Sequence, residues 1–136
     1  MTRPVLADTG FLVALYRASE KAHARAWAYL HAHQHALATV SAVIVETCLF
    51  LNPSEKLRFL AWVREGALTV IETPVAAYRD VERVLQKYRD RNLDFADAAL
   101  VWLANELDVR AILTGDYADF EILRLKANRR FELVKW

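Results

Sequence analysis

Short apolar runs alternate along the chain with longer segments whose apolar residues recur at helical spacing. Runs with the length and composition of strands lie at residues 5–7, 36–40, 68–72, 111–113 and 131–134. Segments that predict helices lie between them, at residues 11–16, 20–33, 41–51, 53–66, 75–91, 94–107 and 119–126. This alternation predicts an α/β fold, a mostly parallel sheet of four to five short strands with helices on both faces.

Several predicted helices begin with recognisable start signals. The segment Asn52-Pro53-Ser54-Glu55 combines a capping residue, a proline at the first helical position and an acid at the third. Thr73-Pro74 predicts a helix start of the same kind, and Ser41 is placed to cap the helix that follows the second strand. No linker, repeat or low-complexity tract divides the sequence, so we expect one domain over residues 1–136.

Composition restricts the class of protein. A hydrophobic content of 55% in 136 residues is enough for a packed core, and a net charge of +1 gives no global positive field for nucleic acid. The single cysteine, Cys48, provides neither a disulfide framework nor a cysteine zinc site, and we expect it to be buried. No signal peptide is visible, and the apolar runs are shorter than the roughly 18 residues of a membrane span. We therefore expect a cytoplasmic protein without a membrane partner.

Two aspartates stand directly after predicted strands. Asp8 follows the run at residues 5–7, and Asp116 follows the run at 111–113. Ligands of parallel sheets collect beyond the carboxyl ends of the strands, which makes both residues candidates for a site. The alternative is a turn or a helix cap, for which Asp-Thr-Gly is also suited. Asp-Thr-Gly occurs in aspartic proteases too, but those are all-β chains and the α/β pattern excludes them.

Further acids lie in or next to apolar helices. Glu46 has apolar neighbours on every side of its predicted helix, and a buried carboxylate is costly unless it is paired or binds a metal. Asp97 borders the apolar stretch at residues 98–104, and Asp94 lies three residues earlier on the same helical face. The alternatives are a solvent or arginine contact for Glu46 and a capping pair for Asp94 and Asp97. Asp119 is either an accessory acid or the cap of the last helix.

These acids predict a metal centre if they meet in one crevice. Several carboxylates in one pocket repel one another, and cations relieve that repulsion. Oxygen ligands select Mg²⁺ or Mn²⁺, which also bind phosphate. The sequence contains no HExxH motif, P-loop or dinucleotide fingerprint that would indicate other chemistry.

The ordered set of acidic segments resembles the PIN-domain ribonucleases, and in particular the VapC-type toxins of bacterial toxin–antitoxin pairs. The resemblance covers essentially the whole chain. It is carried by residues 5–10, by Glu46 in its apolar helix, by Asp94-Phe95-Ala96-Asp97-Ala98, and by residues 113–120. It implies a PIN-like three-layer sandwich.

The resemblance also implies an activity and a site. The activity is a Mg²⁺- or Mn²⁺-dependent endoribonuclease, with RNA as substrate, a cognate antitoxin as partner and a homodimer as assembly. The implied metal and catalytic acids are Asp8, Glu46, Asp97 and Asp116. Asp94 and Asp119 would be accessories, and hydroxyls close to the metals would come from Thr9 and Thr114. Many relatives carry a basic residue where this chain has Tyr117-Ala118.

Other interpretations stay open at this level. They are a metal-dependent phosphatase of small esters, an RNA-processing nuclease outside toxin–antitoxin systems, and a non-catalytic module such as a receiver-like domain. Two further clusters are candidates with an ordinary solvent-exposed alternative. One is the basic group Arg124, Lys126, Arg129 and Arg130, which could steer RNA; the other is the alternating histidines His31, His33 and His35. We expect the tryptophans to lie mostly in the core, with part of the apolar excess forming a dimer face or an antitoxin groove.

Overall fold

The computed structural model describes residues 3–136, which form a five-stranded, fully parallel sheet in the order β3-β2-β1-β4-β5. The strands are β1 (Val5–Ala7), β2 (Leu37–Val40), β3 (Thr69–Ile71), β4 (Ala111–Leu113) and β5 (Glu132–Leu133). Each predicted strand is present; β1 and β4 have the predicted bounds, and β2, β3 and β5 are shorter than predicted by one or two residues. The predicted sheet type and strand number are therefore confirmed.

Seven α-helices connect these strands. They are α1 (Thr9–Tyr16), α2 (His23–Ala32), α3 (Ser41–Leu49), α4 (Pro53–Trp62), α5 (Tyr78–Lys87), α6 (Phe95–Leu107) and α7 (Tyr117–Ile122). Parallel strands need crossover connections, and these helices supply them and cover both faces of the sheet. Among residues 3–136 no helix is both long and apolar enough to cross a membrane.

The strand order creates a crevice between β1 and β4. From β1 the chain crosses to β2 on one side of the sheet, while β4 pairs with β1 on the other side, with Leu6 opposite Ile112 and Ala7 opposite Leu113. Such a reversal of strand order is the point at which open α/β sheets bind ligands. The residues that follow β1 and β4 are therefore brought to one place by the topology.

The core is continuous around the sheet and contains the centre of α6. Residues 98–104 of α6 are all buried, as their uninterrupted apolar sequence predicts. Phe11, Phe59 and Phe120 are fully buried and anchor α1, α4 and α7. Trp102 is buried as expected, whereas Trp27 and Trp62 are only partly buried and pack around Tyr16. Cys48 is also only partly buried, which corrects the expectation of a fully buried thiol.

The helix start at Asn52 is confirmed in detail. The Asn52 side chain accepts the Glu55 N–H at 2.8 Å, and the Glu55 carboxylate accepts the Asn52 N–H at 2.9 Å. The other two start signals were wrong. Ser41 is the first residue of α3 and Val40 is its cap, because β2 runs directly into the helix without a turn. The Thr73 hydroxyl is buried without a hydrogen-bond partner and caps no helix.

Two predicted helices were too long. The segment at residues 75–91 is divided into a 3₁₀ turn (Val75–Ala77), α5, and a second 3₁₀ turn (Arg89–Arg91). The break falls at Tyr88, whose backbone leaves the helical region and whose hydroxyl accepts the Arg124 N–H at 3.0 Å. The last helix begins at Tyr117 and ends at Ile122, and a separate 3₁₀ turn follows at Lys126–Asn128. At Tyr88 a contact with a distant segment therefore coincides with the end of the helix.

Candidate metal centre

An acidic cavity of about 410 Å³ opens beyond the carboxyl ends of β1 and β4. Six acidic side chains from separate segments line it, together with Thr9 and one basic side chain, Arg17. The acids are Asp8, Glu20, Glu46, Asp94, Asp97 and Asp116. The structure therefore brings Asp8, Glu46, Asp97 and Asp116 to one cavity, as the sequence predicted.

Asp8 is held at the base of the cavity by the neighbouring strand. Its backbone N–H donates to the Leu113 carbonyl at 2.9 Å, which extends the pairing of β1 with β4. The Thr114 hydroxyl donates to Asp8 Oδ2 at 2.8 Å and accepts the Asp116 N–H at 2.9 Å. Burial raises the pKa of Asp8 from 3.8 to about 6, against the lowering effect of the Thr114 hydrogen bond. The charges of Asp116 and Asp94 raise it further.

The loops after β1 and β4 approach each other closely at two glycines. A Cβ atom on Gly10 would lie 3.1 Å from the Gly115 nitrogen and 3.3 Å from its Cα. Any side chain at position 10 would therefore push the two loops apart. Gly10 and Gly115 are close in sequence to Asp8 and Asp116, so their contact limits how closely the two loops that carry these acids can approach each other.

Asp94 and Asp97 form the start of α6 and also line the cavity. Asp94 accepts the Asp97 N–H at 2.9 Å, and Asp97 Oδ2 accepts the Asp94 N–H at 3.3 Å, which completes a capping box. Burial raises the pKa of Asp97 to about 8, and the charges of Asp94 and Asp8 add to the effect. The sequence offered capping and a site role as alternatives, and the geometry is compatible with both at once.

Glu46 lies on α3 and faces the cavity from the opposite wall. Its neighbours in α3 are apolar, as the sequence shows, but they do not bury it fully. Val45 and Leu49 are exposed, and Glu46 itself is only partly buried. Burial nevertheless raises its pKa, and the Thr9 hydroxyl lowers it while the Asp94 and Asp8 carboxylates raise it. Thr9 Oγ1 is near enough to Glu46 to favour its ionised form, but it is buried and has no partner at normal hydrogen-bond geometry. It is a polar atom in the cavity wall that still lacks a partner.

Asp116 and Asp119 have different surroundings. Asp116 caps α7 by accepting the Asp119 N–H at 3.1 Å, so the cap is Asp116 and the alternative of Asp119 as cap was wrong. Burial raises the pKa of Asp116, and the Asp119 N–H lowers it. The Asp119 carboxylate does not line the cavity; it accepts from Arg91 Nε at 2.9 Å.

The other candidate clusters lie elsewhere. Arg124 donates to backbone carbonyls of residues 121–123, and Arg129 pairs with Asp108 at 2.8 Å. Arg124, Lys126 and Arg129 line cavities other than the acidic one. His33 and His35 stack with ring centroids 5.7 Å apart on the exposed connection before β2. The cation that does line the acidic cavity, Arg17, was missed by the sequence reasoning. The only sequence signal for Arg17 is that it directly follows the apolar run of α1.

The residues of the cavity fit a divalent cation. Within residues 3–136 no group of three acidic, histidine or cysteine side chains is arranged to hold a metal ion by itself. Mg²⁺ does not require such a group, because it keeps several waters and binds through one or two carboxylates plus substrate phosphates. Burial raises the pKa values of Asp8, Glu46, Asp97 and Asp116, and neighbouring carboxylates raise each of them further, a repulsion that a divalent cation would relieve.

Comparison with known proteins gives three concordant findings. The family profile described as PIN domain matches residues 5–125. The chain is 28% identical over 134 residues to Ribonuclease VapC26 of Mycobacterium tuberculosis, covering 96% of this chain and 99% of that protein. The crystal structure of Mycobacterium tuberculosis VapC20, described as a Sarcin-Ricin loop cleaving toxin, superposes with a TM-score of 0.75 at 19% identity. That match covers 85% of this chain and 93% of the other, and it establishes a shared fold.

Proposed function

Because the chain belongs to the PIN-domain family, we propose that it is a divalent-metal-dependent endoribonuclease that hydrolyses phosphodiester bonds in RNA. The observation that carries the proposal is the acidic cavity, in which four carboxylates from separate segments each have a raised pKa. The 28% identity to a ribonuclease over nearly the whole chain supports RNA as the substrate.

We assign the metal to Asp8, Glu46, Asp97 and Asp116, with Mg²⁺ or Mn²⁺ as the cation. A divalent cation held there supplies the charge that activates water for attack on a phosphodiester and stabilises the leaving oxygen. Asp94 also lines the cavity and stays an accessory in this assignment, with its Oδ1 accepting the Asp97 N–H. Asp119 is the weaker accessory, since Arg91 already neutralises it outside the cavity.

The chain's own residues prepare these oxygens for binding. The Thr114 hydroxyl fixes the orientation of Asp8 and, through the Asp116 N–H, the position of the next acid. The capping box fixes Asp97 in the same way from the other side. Carboxylates bind cations in the deprotonated form, so the raised pKa values of Asp8 and Asp97 make cation affinity increase with pH. Thr9 Oγ1 is available to donate to Glu46 or to a water in the cavity.

We further propose that the protein is the toxin of a toxin–antitoxin pair and acts in the cytoplasm. Large apolar side chains on α3 and α4 are exposed, which supports a protein partner on this surface. They are Val45, Leu49, Leu57 and Leu60. A cognate antitoxin and a second copy of the chain are the two partners proposed. Expression that arrests growth, and growth restored by co-expression of a small neighbouring gene, is the expected result for a toxin.

Purified protein tests the enzymatic proposal directly. Incubation with RNA and Mg²⁺ should give cleavage that EDTA abolishes, while a generic phosphate monoester stays intact. Asp8→Asn and Glu46→Gln should each remove cleavage, because each removes a proposed cation ligand. Asp90→Asn is the matched control, since Asp90 is an exposed acid in the 3₁₀ turn after α5. Cleavage that survives in the double variant Asp8→Asn/Glu46→Gln would contradict the proposal, and hydrolysis of the ester alone would favour a phosphatase.

A further inference from the structure

A second cavity of about 520 Å³ adjoins the acidic one. The two cavities share Arg17 and Phe50 in their linings, so they are adjacent, and these two residues lie at the junction between them. The second cavity is otherwise lined by the segment after α1 and by residues from Leu49 to Glu55 around the turn between α3 and α4. A second cavity next to the acidic one can hold more of a ligand than the group that reacts.

Arg17 is the only basic residue that lines the acidic cavity within the described part of the chain. Arg17 is partly buried, and across residues 3–136 its guanidinium forms no ion pair. The acid next to it in the second cavity, Glu55, is already satisfied, because its two oxygens accept the N–H groups of Ala18 and Asn52. Arg17 is therefore an arginine beside a strongly negative cavity whose hydrogen-bond donors remain available.

Phe50 also lies at the junction and is the residue that caps the C-terminal end of α3. It is 51% exposed, although it lines both cavities. An exposed aromatic ring provides a stacking surface for a nucleic acid base, and stacking tolerates any base because each has a flat π face. The junction thus offers both a cation that can bind phosphate and a ring that can stack on a base.

We propose that Arg17 and Phe50 form a subsite for single-stranded RNA, in which Arg17 contacts a phosphate and Phe50 stacks against the base of a nucleotide next to the cleaved bond. The subsite rests on the proposed function, because it takes the acidic cavity as the place of cleavage. Its physical purpose is to offset repulsion: six acids line that cavity, and a polyanionic substrate needs a cation at its edge.

The test measures binding rather than cleavage. A fluorescently labelled single-stranded RNA oligonucleotide is titrated with the Asp8→Asn protein in MgCl₂ at several salt concentrations, and a gel verifies that the RNA stays intact. Arg17→Ala and Phe50→Ala are then introduced into this parent. Arg64→Ala is the matched control, because Arg64 is an exposed arginine in the turn that leads into β3, at the other edge of the sheet.

The two substitutions should differ in kind. Arg17→Ala should reduce the slope of log K against log salt by about 0.7, the value for one phosphate contact on a single strand. Phe50→Ala should weaken binding roughly 5- to 150-fold with an unchanged slope, as expected for the loss of one stacked base. Phe50→Trp should keep the parent's affinity and Phe50→Leu should not, which separates stacking from simple apolar packing.

Three results would overturn the proposal. If the parent binds RNA and both alanine variants bind it with the parent's affinity and slope, the subsite is wrong while the nuclease proposal stands. If the parent binds no RNA and the unmodified protein cleaves none, the proposed function fails and the subsite fails with it. An Arg17→Ala effect on affinity without any change of slope would also contradict a phosphate contact.

Discussion

The substitution Asp8→Asn should make the metal-free protein more stable while it removes activity. The Asp8 carboxyl is buried, and its pKa is raised from 3.8 to about 6. At 1.36 kcal/mol per pKa unit, ionising it in the folded state costs roughly 3 kcal/mol. Asparagine has nearly the same shape, carries no charge, and can still accept the Thr114 hydroxyl through its amide oxygen. Because the buried amide has its own desolvation cost, we expect a net gain of about 1–3 kcal/mol.

The stability gain from Asp8→Asn should increase with pH. Below pH 3.8 the carboxyl is protonated in both the folded and the unfolded chain, so the cost is absent. As the pH rises from about 4 to about 6, the unfolded chain ionises first and the folded protein loses stability relative to it. Above pH 6 the full cost is present. The gain from Asp8→Asn should therefore be close to zero near pH 4 and reach its full value at pH 8.

Urea unfolding followed by tryptophan fluorescence in EDTA measures the effect, at pH 4.5 and at pH 8. Mg²⁺ should then stabilise the unmodified protein at pH 8 and stabilise Asp8→Asn less, because cation binding adds to the free energy of unfolding. Asp90→Asn is the control and should stay within about 0.5 kcal/mol at both pH values. An Asp8→Asn protein that is equally or less stable at pH 8 in EDTA would refute the electrostatic reasoning.

Three further substitutions test the supports of the site. Thr114→Val should cost about 1–3 kcal/mol in urea unfolding and reduce cleavage, because it leaves a buried carboxylate and an N–H without their partner; Thr114→Ser should restore both. Gly10→Ala should reduce cleavage and Mg²⁺ affinity, measured by calorimetry, because its methyl group meets the Gly115 backbone; unchanged affinity would show that the loops tolerate separation. Asp119→Asn should cost less than about 1 kcal/mol and leave the Mg²⁺ response intact, because its pair with Arg91 is partly exposed; loss of that response would place Asp119 in the metal site.

The convergence of the acids was predictable because strand ends are visible in the sequence. Asp8 and Asp116 directly follow apolar runs, and parallel strands place their carboxyl ends at the same edge. Asp97 borders a helix whose centre is entirely apolar, and burial of that centre fixes the position of its first turn. The structure confirms that β1 and β4 are parallel neighbours and that the centre of α6 is buried.

The roles of the helix-terminal acids could not be resolved in the same way. An aspartate at the start of a helix can serve as a cap or as part of a cavity wall, and the sequence does not distinguish the two roles at Asp94 and Asp97. The structure shows that both residues cap α6 and also line the cavity. Helix ends set by distant contacts were also invisible, as at Tyr88, where the hydroxyl meets the backbone of Arg124. Arg17 escaped notice for a related reason, because its place beside the acids depends on how the segment after α1 folds back.

The glycine contact between the two loops has a mechanical consequence. Because Gly10 and Gly115 touch with no side chain between them, neither loop can advance toward the other. A displacement of one strand end toward its neighbour must therefore move both as a single body. The width of the gap that a cation would have to span is thus set by the backbone and by hydrogen bonding between strands. Selectivity among cations of different radius would then depend on the geometry of the sheet as well as on the oxygens that contact the ion.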